Sequence, residues 1–162
     1  MNTNMDVTHV ALRSKAFPGK YLRMDGQGLT RFIGTGGGKV NTSDFIGPDE
    51  TLVLERFDNG TVSFQSAVFD NVYLRLDRGS ITKGKNFPNG GGVVNCQFGS
   101  VTSEKFKIVQ KKPTKRDKYD GTVGIESSQF PGRFLRMDGG KDQVNVQGVL
   151  SSFEEWEILV IA

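Results

Sequence analysis

The side chains best suited to chemistry recur at matched places. Arg23 and Asp25 reappear as Arg75 and Asp77, and again as Arg136 and Asp138. A row of amides follows: Asn41, Asn95 and Asn145, with Gln97 and Gln147 two residues beyond the second and third and Ser43 at the matching place in the first. Carboxylates accept hydrogen bonds from vicinal hydroxyls, while amides and guanidinium groups donate or accept in fixed geometry. Such a set suits a polyhydroxylated ligand such as a sugar. The same residues also have a structural use, since Arg–Asp pairs bridge strands and asparagines satisfy turn backbone.

Catalytic sets are harder to assemble. An enzyme needs converging groups, and the chain has one histidine, His9, and one cysteine, Cys96. One of each makes no zinc site. Cys96 matches Thr42 and Val146 in the other copies and reads as a small core filler. Neither a phosphate loop nor a nucleophile elbow is present. No catalytic residue, metal ligand or cofactor is expected.

The elements that position these residues are visible in the repeat itself. Phe17-Pro18-Gly19-Lys20-Tyr21-Leu22-Arg23-Met24-Asp25 recurs from Phe69 to Asp77 and from Phe130 to Asp138. Ahead of each copy stands an alternating segment: Val10–Ser14, Val62–Ser66 and Val123–Ser127. Behind each come a Val-Asn step (Val40, Val94, Val144) and a segment opening on Glu50, Glu104 or Glu154. Apolar residues alternate with polar ones in every segment, the period of a half-buried strand. Three copies of four strands make twelve. A propeller needs at least four blades, so the pattern predicts an all-β chain folded as a β-trefoil with pseudo-threefold symmetry. One domain over 1–162 is expected, with repeats at about 8–58, 59–112 and 121–162. The layers Leu22/Leu74/Leu135, Val40/Val94/Val144 and Leu52/Phe106/Trp156 are the expected core.

Symmetry constrains the chemistry. Repeats about 120° apart keep Asp25, Asp77 and Asp138 from converging, unlike the paired carboxylates of a glycosidase, which sit within about 10 Å. Up to three similar binding sites are expected instead. Strand alternation turns Arg23, Asp25, Arg75, Asp77, Arg136, Asp138 and the Asn41/Asn95/Asn145 row away from the inward leucines and valines. Phe32, Phe87 and Phe98 lie near Gly-rich loops at 34–38 and 88–92 and are candidates for stacking on a sugar ring. The third repeat has a shorter loop, so the site near Asp138 is expected to be the odd one.

The composition excludes other classes. Lys+Arg is 21 against 18 Asp+Glu, a formal +3, too mild to predict nucleic acid as a partner. No apolar run approaches the ~18 residues of a spanning helix, so membrane insertion is not expected. The first ten residues lack the features of a signal peptide, and a lone cysteine asks for no oxidising compartment. Cytoplasmic location is the expectation. A junction at 110–121 carries Lys111, Lys112, Lys115, Arg116 and Lys118 and reads as an exposed basic loop.

The Phe-Pro-Gly-Lys/Arg-Tyr/Phe-Leu-Arg motif, following a Val-x-Leu/Phe/Ile-x-Ser strand, resembles the arabinose-binding trefoil modules of fungal arabinofuranosidases. The Tyr-Leu-x-x-Asp core, with Val-Asn and then Glu-x-Phe-x-Ile, also resembles fascin-like trefoils and mushroom trefoil lectins. The arabinose modules carry a histidine where Met24, Leu76 and Met137 stand here. A free-standing trefoil of this kind is most similar to the mushroom lectins. That resemblance implies a lectin recognising galactose or N-acetylgalactosamine glycans or glycoproteins, commonly as a homodimer. The fascin-like modules imply actin binding as an alternative. Trefoil protease inhibitors are a second, with the loop at 110–121 as the inhibitory segment.

Overall fold

The computed structural model describes residues 6–110 and 121–161. Of the stretch 110–121 expected to form a basic surface loop, 111–120 lie outside them, and Gln110 is the last residue of a strand. Twelve strands run through the described residues: β1 (Asp6–Ser14), β2 (Tyr21–Asp25), β3 (Lys39–Ser43), β4 (Leu52–Arg56), β5 (Val62–Ser66), β6 (Val72–Asp77), β7 (Val93–Phe98), β8 (Phe106–Gln110), β9 (Val123–Ser127), β10 (Phe134–Asp138), β11 (Gln143–Gln147) and β12 (Trp156–Val160). They fall into three sets of four, matching the sequence repeat. No helix among the described residues is long and apolar enough to cross a membrane.

Six strands close a ring. β1 pairs β4, β4 pairs β5, β5 pairs β8, β8 pairs β9, β9 pairs β12, and β12 returns to β1, all antiparallel. Closure removes the free edges that an open sheet would expose. The other six form three hairpins, β2–β3, β6–β7 and β10–β11. β3, β7 and β11 touch one another, so the hairpins meet around the pseudo-threefold axis. This is the β-trefoil.

The expected layers fill the interior. Leu22, Leu74, Leu135, Leu52, Phe106 and Trp156 are fully buried, and Val40, Val94 and Val144 nearly so. Trp156 also ties a hairpin to the ring, its indole Nε1 donating to the Leu135 carbonyl at 3.1 Å. A buried indole N–H without an acceptor would cost about 1–3 kcal/mol. Cys96 occupies the core as expected, and burial pushes its thiol up to about 12. His9 is exposed on β1.

Candidate functional site

Each hairpin carries an Arg–Asp pair, and in the first and third the arginine also approaches a glutamate. Arg23 Nη2 lies 3.4 Å from Asp25 and 2.9 Å from Asp49, and Arg23 Nε lies 3.9 Å from Glu50. Arg75 approaches Asp77 at 3.3 Å. Arg136 approaches Asp138 at 3.8 Å and Glu154 at 3.9 Å. Glu50, Glu104 and Glu154 are all buried. Each accepts a hydrogen bond from a backbone N–H three residues earlier, at Gly47, Val101 and Ser151, holding the turn before the last strand of its repeat. Burial raises the carboxyls of Glu104 and Glu154 above the usual range, against the pull of those N–H donors and of Arg75 and Arg136. The sequence marks these glutamates only as matched strand openings; their burial beside Arg23 and Arg136 is visible only in the fold.

The three sets differ in what lies over them. Arg75 donates to the carbonyls of Gly34 and Thr35, and Asn95 Nδ2 donates to Thr35 at 3.0 Å. Gln97 clasps Ile33, accepting from its N–H at 3.1 Å and donating to its carbonyl. The third repeat does the same to the second repeat's loop. Arg136 and Asn145 donate to the Asn89 carbonyl at 3.1 and 2.9 Å, and Gln147 clasps the Phe87 backbone. Gly37 bridges Cys96, and Gly91 bridges Val146. These loops can lie so close because glycine has no side chain: a Cβ on Gly36 (φ +72) would sit 2.5 Å from the Cys96 carbonyl oxygen.

The outward rows are therefore not surface rows throughout. Alternation does turn them from the barrel interior, but Arg75, Gln97, Arg136, Asp138, Asn145 and Gln147 are buried. Asn95 and Asp77 are half-buried. The physical reason is non-local: the Gly-rich loop of each repeat folds forward onto the next. Of the aromatic candidates, Phe32 is exposed, while Phe87 and Phe98 pack against the core.

The first repeat is the exception. The loop that would cover it belongs to the third repeat and is only a 3-10 turn, Gly139–Lys141, ending on Asp142 in the left-handed region (φ 50). Asp142 alone replaces the missing backbone. Its carboxylate accepts from Thr42 N–H at 2.9 Å, Thr42 Oγ1 at 2.7 Å and Asn41 Nδ2 at 3.1 Å. Burial pushes this carboxyl up, but the two Thr42 donors, Asn41 and the charge of Lys39 outweigh it and hold Asp142 below the usual carboxylate range. Ser43 is too short to clasp a backbone as Gln97 and Gln147 do. The odd face is thus that of Arg23, Asp25 and Asn41. The short loop alters the repeat it covers, not the repeat that carries it, so the expectation for Asp138 is corrected.

The result is an open cradle. The Arg23 side chain is 28% exposed, against 8% for Arg75 and 4% for Arg136. Two adjoining hollows of about 310 and 320 Å³ share Ser43 and Phe45, each at the small end of the range that ligand sites occupy. Lys20, Asp44 and Asp142 line one; Arg23, Asp49 and Glu50 line the other. Phe45 stands 64% exposed between them. Phe45, Asp49 and Asp142 were not singled out from sequence. The signal for Asp142 was the shortened third loop, and for Phe45 it was a lone aromatic beside the unmatched Ser43.

No family model matches the chain, and no curated protein matches it. Solved structures do. A mosquitocidal holotoxin shares 13% identity over 97% of this chain, with a TM-score of 0.68, and this chain spans 18% of the toxin's length. The Rhizoctonia solani agglutinin shares 12% identity at a TM-score of 0.66, covering 99% of this chain and 100% of that one. SeviL, solved bound to the asialo-GM1 saccharide, shares 8% identity at 0.64, covering 95% and 98%. At these identities the likeness establishes the β-trefoil fold.

Proposed function

We propose that this chain binds glycans without transforming them, through the cradle of its first repeat. The observation that carries the reading is the asymmetry. Arg23, Asp25 and Asn41 keep the polar set of their counterparts, yet instead of a Gly-rich loop only the Asp142 carboxylate reaches this face. A polar hollow beside one exposed ring suits a sugar, whose hydroxyls meet the carboxylates while its C–H face meets Phe45. Galactose or N-acetylgalactosamine fits this best, because an axial hydroxyl leaves one continuous C–H face for a single ring. The likeness to an agglutinin and to a saccharide-bound trefoil supports the reading.

Of the up to three similar sites expected, one open cradle is what we retain. A non-enzymatic role belongs to the same reading, and the burial of the Cys96 thiol supports it. A cytoplasmic location, a homodimer that would make one site per chain bivalent, and no role for nucleic acid are proposed with it. The test is a glycan array with the intact protein, followed by titration of each hit against Arg23→Ala and Arg75→Ala. Array hits that survive Arg75→Ala in folded protein but vanish with Arg23→Ala support the cradle. An array without hits removes the reading, and hits indifferent to Arg23→Ala remove the cradle.

A further inference from the structure

The cradle's charge runs against that of the chain. The whole sequence carries a formal +3. The residues lining the two hollows supply four carboxylates, Asp44, Asp49, Glu50 and Asp142, and two cations, Lys20 and Arg23. Four negative against two positive leaves a formal −2. Asp25 and Lys39, opposite one another on β2 and β3, cancel at the rim.

Both cations are already committed. Lys20 Nζ lies 2.5 Å from Asp44. Arg23 is shared among Asp25, Asp49 and Glu50 and also donates to Asn41. The Asp44 side chain stands 77% exposed at the mouth, where an incoming ligand meets it first. Ionised carboxylates only accept hydrogen bonds. They welcome hydroxyls and ammonium groups and repel another anion.

We propose that the cradle is a charge filter, taking neutral or amine-bearing glycans and rejecting sialylated, sulfated or uronic-acid forms of the same core. This rests on the glycan reading above. Specificity of this kind comes from repulsion built against the wrong ligand. At low ionic strength an anionic substituent in contact with the cradle should weaken binding by about tenfold or more. The effect should shrink as salt screens the exposed carboxylates.

The test prints, beside each neutral glycan that binds, its sialylated and sulfated derivatives. The intact protein is titrated on all of them at about 20 mM and about 300 mM salt, where screening lengths differ several-fold. Asp44→Lys is titrated in parallel. The expected result is tight binding of the neutral member, about tenfold weaker binding of its acidic partners at low salt, and a gap that narrows both at high salt and in Asp44→Lys. Equal or better binding of the acidic forms overturns the filter while leaving glycan binding standing. A gap unmoved by salt and by Asp44→Lys overturns it too, since rejection is then by shape. Absence of binding to any glycan takes down the proposed function, and the filter with it.

Discussion

The first and third hairpins carry nearly the same residues and do different things with them. Arg136, Asn145 and Gln147 hold the second repeat's loop and are buried beneath it. Arg23, Asn41 and Ser43 hold no loop, and a single carboxylate from Asp142 takes its place. The same side chains act as an internal clamp in one place and as open surface in the other. Residue identity gives the chemistry, and loop length in the neighbouring repeat decides whether that chemistry faces protein or solvent.

The sharpest way to break the comparison is to remove the arginine from each face. Arg136→Ala strands the buried Glu154 carboxylate and empties the clamp, and should cost about 3–5 kcal/mol. Arg23→Ala also leaves a buried glutamate, Glu50, but its guanidinium is partly solvated and holds no loop carbonyl, so it should cost less, about 1–2 kcal/mol. Urea denaturation of the two variants checks this, and equal losses would mean that the faces are energetically alike.

Glycines give a second contrast. Gly90 has φ +65, and a Cβ there would lie 2.6 Å from the Asn145 amide oxygen. Gly90→Ala should cost about 2 kcal/mol through backbone strain and crowding. In the short third loop, a Cβ on Gly140 would meet nothing nearer than 3.5 Å, so Gly140→Ala should stay within about 0.5 kcal/mol of the parent. Thermal melts of both variants would measure the difference.

Phe45→Ala should act on binding alone. Its ring is 64% exposed, so stability should hold within about 0.5 kcal/mol while glycan affinity falls about tenfold, the value of a lost ring contact. Calorimetric titration beside a melt separates the two effects.

Acid gives the smallest and most diagnostic contrast, because the two faces should respond with opposite signs. Asp142 is held below the usual carboxylate range when folded. Its contribution is fully present above the unfolded value and is lost as pH falls through the depressed folded one. Glu104 and Glu154 are held above the usual range by burial. The folded state therefore takes up protons at these two more readily than the unfolded chain, and they gain stability on acidification through their raised values. Asp142→Asn should flatten the low-pH loss, and Glu154→Gln should flatten the gain just above it. Stability measured against pH from about 2 to 7 for each variant checks both signs.

The fold was legible because the chain states its motif three times, and each statement fixes the same four strands. The Leu22/Leu74/Leu135 layer could be placed by alternation alone. The site was legible only in part. Alternation reveals which face a side chain takes and is silent on what covers that face. The clasps of Gln97 on Ile33 and of Gln147 on Phe87 span 64 and 60 residues of chain, beyond the reach of any local pattern. The short third loop was visible too. Its effect was assigned to its own repeat because nothing local shows that the loops lean forward.

Asp142 carries one more consequence. The main-chain amides of Cys96 and Val146 are locked in reciprocal backbone bridges to Gly37 and Gly91, and can exchange with solvent only when a whole loop lifts. The Thr42 amide is held by an exposed side-chain carboxylate instead, which can swing aside with the backbone in place. Proton exchange should therefore run fastest at Thr42 among these three matched amides, marking the joint between the third and first hairpins as the seam from which the hairpin layer loosens.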